Sequence, residues 1–170
     1  FDMVKLTNLN AHYLREMADD ELLPLVLPRI EKELGQAIDP IALQRVRRGL
    51  NGVKPRSRTL VELADNLAFY ARHGAAPIAD EKARAQLTPQ AKALLPRLAA
   101  ALQAQADDWG EKQIEDTIRR FSQAEGVKLG EVAQPLRVAM TGSTASPGIF
   151  EVLAILGPSE TRARLQAAAG

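Results

Sequence analysis

Two groups of residues in this chain could do chemistry. The first is the run RVRRGLNGVKPRSR, where Arg45, Arg47, Arg48, Lys54, Arg56 and Arg58 place six positive charges with no acid between them. The net charge of the whole chain is only +1, so the remainder carries −5. A cationic stretch on an acidic body is the electrostatic footprint of a local polyanion site, and these cations are read as phosphate contacts. The plainer reading is a solvated charge run. The second group lies in LGEVAQPLRVAMTGSTASPGIFEVLAILG, Leu129–Gly157. Arg137 stands alone in an apolar helical pattern, and a turn of Thr141–Ala145 leads to Ser146 and Pro147. Ser146 is expected to cap the next helix, with Pro147 at its first position. A guanidinium brought close to a helix N-terminus suits an anion or a base edge. Gly148 would let a ligand approach the backbone, and Ile149 and Phe150 would offer apolar contact. The plainer reading is a helical hairpin with a solvated arginine.

Catalytic chemistry finds little support. There is no GxxxxGK[ST] loop and no GxGxxG after a strand. His12 and His73 lie far apart, and neither adjoins a nucleophile motif. Asp19-Asp20 and Asp107-Asp108 both precede helical patterns and read as caps. Trp109 reads as a core anchor. No carboxylate–histidine cluster has metal-ligand spacing, and with no cysteine in the chain disulfides and thiolate-bound zinc are excluded. Nucleic acid fits better. Sequence-specific reading of RNA needs cations for phosphate, a few held donors for base edges and apolar faces for splayed bases.

The elements that must position these residues are helical. No segment alternates at period two for long, and Gly, Pro and Asp punctuate nearly every connection. Helices are expected over Thr7–Met17, capped by Asn8 or Asn10, and over Asp19–Leu34, capped by Asp19 or Asp20 and broken or kinked at Pro24 and Pro28. A third runs from Asp39-Pro40 to about Arg48, followed by a charged loop over Gly49–Ser57. Thr59 and Glu62 make a capping box for Leu60–Arg72. Beyond GAAPI (Gly74–Ile78) come a short helix over Ala79–Gln86 and a longer one from Thr88-Pro89 to Gln105. The latter is so rich in alanine that a peripheral place is expected for it. Asp107 or Asp108 should cap the next, whose stripe is Ile114, Ile118 and Phe121 and whose stop is Gly126. Two helices in Leu129–Gly157 and a last one over Glu160–Ala169, capped by Ser159, complete the chain. The class is all-α, with about nine short helices in two packed helical bundles, residues 1–73 and 74–170.

Apolar residues make up 46% and aromatics only 4%, so the core must be built of Leu, Ala, Val and Ile. No apolar run approaches the ~20 residues a bilayer span needs. The absence of cysteine fits a reducing compartment, and the cytoplasm is the expected location. The chain opens on Phe1 rather than Met and is expected to be a piece of something longer.

At LGEVAQPLRVAMTG and SPGIFEVLAILG the sequence resembles bacterial glutamyl-tRNA synthetases. FDMVKLTNLNAHYLR is similar to the start of that family's anticodon-binding region, KPRSRTLVEL to its loop before a capped helix, and GEKQIEDTIRRFSQAEGVKLGEVAQPLR also matches. The resemblance spans nearly the whole chain and is weakest over Gly74–Asp107. It implies an all-α anticodon-binding region following a Rossmann-type catalytic domain. The parent enzyme would join glutamate to its tRNA with ATP and magnesium. HIGH-like and KMSKS-like motifs are absent, so no catalytic residue and no cofactor is expected in this segment. By motif, Arg137 corresponds to the family's donor to the first two anticodon bases. Ser146, Pro147, Gly148, Ile149 and Phe150 correspond to the cradle around them, and Arg56 to a position bearing on the third base. Implied partners are tRNA(Glu), with tRNA(Gln) as a second candidate, and the enzyme's own catalytic domain, in a monomer. Asn8 departs from the family, where a Trp is usual. A helical protein-interaction module and an unspecific RNA-binding domain stay open beside this reading.

Overall fold

The computed structural model describes the backbone of residues 3–170 and side chains from Asn10 onward. Among these are nine α-helices, one 3-10 turn and no strand: α1 Met3–Glu16, α2 Asp19–Leu34, α3 Pro40–Val53, the turn Lys54–Arg56, α4 Leu60–Ala71, α5 Glu81–Arg84, α6 Pro89–Gln103, α7 Glu111–Glu125, α8 Leu129–Thr141 and α9 Ile149–Ala169. The chain divides into two compact units, Phe1–Arg72 and His73–Gly170.

In the first unit α4 packs against both α2 and α3, and α1 lies against the 3-10 turn. Its core is aliphatic: Leu22, Val26, Ile30, Val46, Leu50, Leu63 and Leu67 are buried with Tyr70. Gly49 is where α3 meets Tyr70, since a Cβ there would stand 2.2 Å from Tyr70 Cε2. Helix α1 begins upstream of both Asn8 and Asn10, so neither caps it; the side chain of Asn8 lies outside the described ones. Helix α2 starts at Ala18 without a side-chain cap, contrary to the expectation for Asp19 and Asp20. It also runs unbroken through Pro24 and Pro28. Both prolines are exposed, as is Asp20, so the carbonyls left without an N–H partner can be hydrated. Asp39 caps α3 by accepting from Ala42 N at 2.8 Å. This helix continues to Val53, so Gly49–Val53 is helical where a loop was expected, and Arg45, Arg47 and Arg48 lie within the helix.

In the second unit α9 is central and packs on α6, α7 and α8. The alanine-rich α6 is not peripheral. Leu94, Leu95, Leu98 and Leu102 form its buried stripe, and its small residues allow close approach to α9. Thr88 caps it as expected, accepting from Ala91 N at 3.0 Å. Helix α7 starts at Gly110 with no side-chain cap, so Asp107 and Asp108 do not cap it. Its buried stripe of Ile114, Ile118 and Phe121 and its left-handed stop at Gly126 follow the sequence pattern. Trp109 anchors the entrance to α7 by donating from Nε1 to Leu153 O at 2.7 Å. Gly157 adopts φ 85°, ψ 166° and breaks α9 before Pro158. Only glycine tolerates that region, so the sequence's stop is a sharp kink within one element.

Candidate nucleic-acid interface

The end of α8 is built so that its unpaired carbonyls are satisfied. Thr141 Oγ1 donates to Arg137 O at 2.8 Å, Gly142 N donates to Val138 O at 2.8 Å, and Arg164 Nη1 donates to Met140 O at 2.5 Å. Gly142 takes φ 77° and closes the helix. Its carbonyl accepts from Ala79 N at 2.8 Å, and a Cβ here would fall 1.9 Å from Pro77 O. The turn from Thr141 to Ser146 therefore leaves α8 in a set direction.

Arg137, half-buried on α8, reaches across this turn. Its Nη1 donates to Ser146 Oγ at 2.5 Å, to Pro147 O at 2.8 Å and, at longer range, to Ser146 O at 3.4 Å. The structure thus brings Arg137, Ser146 and Pro147 together. It corrects the expectation for Ser146, which is buried and does not cap α9: its hydroxyl accepts from Arg137 and donates to Pro147 O at 2.7 Å. The N-cap of α9 is Gly148, exposed and without a side-chain cap. Ile149 is only 5% exposed and serves the core, so its side chain is withdrawn from the apolar wall; Phe150 is half-buried. Glu151 lies in the first turn of α9, where burial and then the nearby Glu111 charge raise its carboxyl above the usual value.

Behind the turn is a buried ion pair that sequence reasoning missed. Arg164, fully buried, donates from Nε to Glu160 Oε1 at 2.9 Å, and Glu160 Oε1 also accepts from Gly74 N at 2.6 Å. The signal was the four-residue spacing of Glu160 and Arg164 inside an apolar helix face.

In the first unit the six cations separate by role. Arg48, Arg56 and Arg58 are exposed, and none forms an ion pair with a described side chain. Arg47 is exposed and shares its charge with Asp20 at 2.6 Å. Arg45 is half-buried, with Nη1 shut off from water. Lys54 is 9% exposed, and its ammonium donates to Met17 O and Asp19 Oδ1, both at 2.9 Å. Its charge is thus already paired inside the fold. This pair also explains why Asp19 caps nothing. Thr59 Oγ1 accepts from Glu62 N at 3.1 Å, but Glu62 returns to Arg58 N rather than to Thr59, so only half of the capping box forms.

Among the described residues no group of three or more His, Cys, Asp or Glu side chains converges as a metal site would require. None of the described helices is long and apolar enough to cross a membrane.

Comparison with known proteins follows the same line. A family model described as an anticodon binding domain matches residues 10–169. Glutamate–tRNA ligase 2 of Rhodospirillum rubrum is 48% identical over 169 residues, covering 98% of this chain and 35% of that protein. Glutamate–tRNA ligase 2 of Rhodospirillum centenum is 47% identical over 165 residues, covering 96% of this chain and 35% of that protein. The chain thus spans about a third of the length of these curated relatives. The crystal structure of a glutamate tRNA ligase from Elizabethkingia meningosepticum superposes with a TM-score of 0.79 at 22% identity, over 99% of this chain and 32% of that one. At that identity the match speaks for the fold alone.

Proposed function

Because this chain belongs to the anticodon binding domain family, we propose that it is the anticodon-reading region of a glutamate–tRNA ligase, which attaches glutamate to tRNA(Glu). The observation that carries the reading is the coupling of Arg137 to the start of α9. One guanidinium nitrogen holds Ser146 and Pro147, and the next residue, exposed Gly148, opens a helix that has no side-chain cap. Backbone N–H groups at such a start, beside a fixed guanidinium, suit the acceptor-rich edges of unstacked bases. In this reading Arg137, Gly148 and the half-buried Phe150 meet the first two anticodon bases. Ser146 and Pro147 aim them, and Ile149 supports them from the core. Arg56 meets the third base, while Arg48, Arg58 and Arg47 hold phosphates. The third base separates tRNA(Glu) from tRNA(Gln), so Arg56 bears on whether both are charged. The catalytic domain of the same enzyme would hold ATP and magnesium. The enzyme is proposed to be a cytoplasmic monomer.

The test is binding of the chain to labelled anticodon stem-loops of tRNA(Glu), with the first or second anticodon base changed in separate loops. Arg137→Ala and Arg137→Lys are each expected to lose about tenfold of the preference for the correct loop, the scale of a bidentate arginine–base contact. Arg137→Lys retains the charge and lacks the fork, so it separates base reading from simple attraction. If both variants keep the full preference, the base-reading role of Arg137 is wrong. A chain that binds every loop alike, with a steep salt dependence, would be an unspecific RNA binder.

A further inference from the structure

The turn that carries Arg56 is held from three sides. Ser57 N donates to Lys54 O at 3.1 Å and closes it. Lys54 pins its first residue to the α1–α2 junction through Met17 O and Asp19, both at 2.9 Å. Ser57 Oγ donates to Val53 O at 3.0 Å and pins its far end to α3. The third hold comes from α4: Asn66 Nδ2 donates to Ser57 Oγ at 3.1 Å and reaches Arg56 O at 3.5 Å. Ser57 is buried, whereas Arg56 and Asn66 are exposed. A three-residue 3-10 turn has poor hydrogen-bond geometry of its own, so outside attachments set its conformation. Asn66 is the attachment nearest the backbone of Arg56, and it lies on the solvent side, where its loss costs little packing.

We propose that Asn66 is a positioning residue for third-base discrimination, holding the Lys54–Arg56 turn so that the Arg56 guanidinium meets that base in one orientation. The inference rests on the reading above, in which Arg56 contacts the third anticodon base. A long arginine side chain discriminates between bases only if its root is fixed, because a misplaced fork keeps its charge and loses its two-point geometry. Asn66 therefore affects the choice between bases more than the strength of attraction.

The experiment measures binding of the chain to two stem-loops that differ only in the third anticodon base, C as in tRNA(Glu) or G as in tRNA(Gln). Asn66→Leu keeps the side-chain size and removes the donor, and Ser57→Ala removes its acceptor. Each is expected to lower the ratio of the two affinities about fivefold, a fraction of a full arginine–base contact. The loss in the double variant should fall short of the sum of the two single losses, because the Asn66–Ser57 bond is broken in both. In Asn66→Leu, discrimination at the first base and the thermal midpoint should stay near the parent values; Ser57→Ala also takes the hydroxyl donor from Val53 O and should lower the midpoint. Arg56→Ala, run alongside, separates the two ideas. If it abolishes the preference and Asn66→Leu leaves it intact, the positioning role fails alone. If Arg56→Ala leaves the preference intact, the third-base reading fails and the positioning role falls with it. A uniform loss at every anticodon position together with a lower midpoint would make Asn66 a stabilising residue only, and would overturn the proposal.

Discussion

Arg164 and Glu160 stand one turn apart on α9, both buried, with Arg164 Nε 2.9 Å from Glu160 Oε1. The pair ties three segments together, because Arg164 also donates to Met140 O on α8 and Glu160 accepts from Gly74 N. It therefore supports the last turn of α8, from which the Arg137 turn departs.

Removing Arg164 leaves the buried Glu160 carboxylate with Gly74 N and, 3.9 Å from its Oε2, the Nδ1 of His73. Arg164→Met is expected to lower stability by about 3–5 kcal/mol, measured by urea unfolding. Replacing both residues, Glu160→Leu with Arg164→Met, should cost less than the single change, since the carboxylate is gone as well. A double variant as unstable as the single one would assign the loss to Met140 O and Gly74 N instead.

Gly142 and Gly126 both end helices with positive φ, at 77° and 69°. A Cβ at Gly126 meets open space, and one at Gly142 would collide with Pro77 O. Gly126→Ala should cost about 1 kcal/mol from the backbone alone, and Gly142→Ala clearly more. Thermal unfolding of the two variants side by side checks the order. The Gly142 change should also weaken stem-loop binding, because it moves the turn that Arg137 holds.

Burial first, and the Glu111 charge second, lift the Glu151 carboxyl above its usual 4.5. The folded chain then keeps this proton at pH values where the unfolded chain has lost it. The stability contributed by this site is present in full below the usual value and declines as pH rises through the raised one. Glu151→Gln removes the charge that burial opposes. It should be more stable than the parent at about pH 7 and show no such advantage at about pH 3.5. Denaturant midpoints at the two pH values test this, and an equal effect at both would exclude a protonation origin.

Arg48 and Lys54 come from the same basic run but should behave differently. Arg48→Ala is expected to weaken all stem-loops alike and to reduce the slope of log affinity against log salt by about 1, with stability unchanged. Lys54→Met should reduce stability, because Asp19 and Met17 O lose their buried donor. A steeper loss of binding than of stability in Lys54→Met would count it among the phosphate contacts.

Much of the helical outline was legible in the chain because the signals are local. Asp39-Pro40 and Thr88-Pro89 start helices, Gly126 ends one, and the stripe of Ile114, Ile118 and Phe121 is buried at the spacing that marks it. These outcomes depend on residues within a turn or two of each other. Two of the misread caps have the opposite cause. Asp19, the first residue of α2, and Ser146, which precedes α9, look like caps, yet Asp19 is taken by Lys54 from the end of α3 and Ser146 by Arg137 across the turn.

The sequence by itself determined an all-α chain, the positions of most helices, the basic run and the motif that holds Arg137, since composition, periodicity and short-range capping need no tertiary contact. The tertiary structure alone decided what each charge does. Lys54 and Arg164 lie in the interior bonded to backbone carbonyls and carboxylates, while Arg48, Arg56 and Arg58 remain in water. A cation's role depends on burial and on which acceptors the fold brings within about 3 Å, and neither can be read from spacing along the chain.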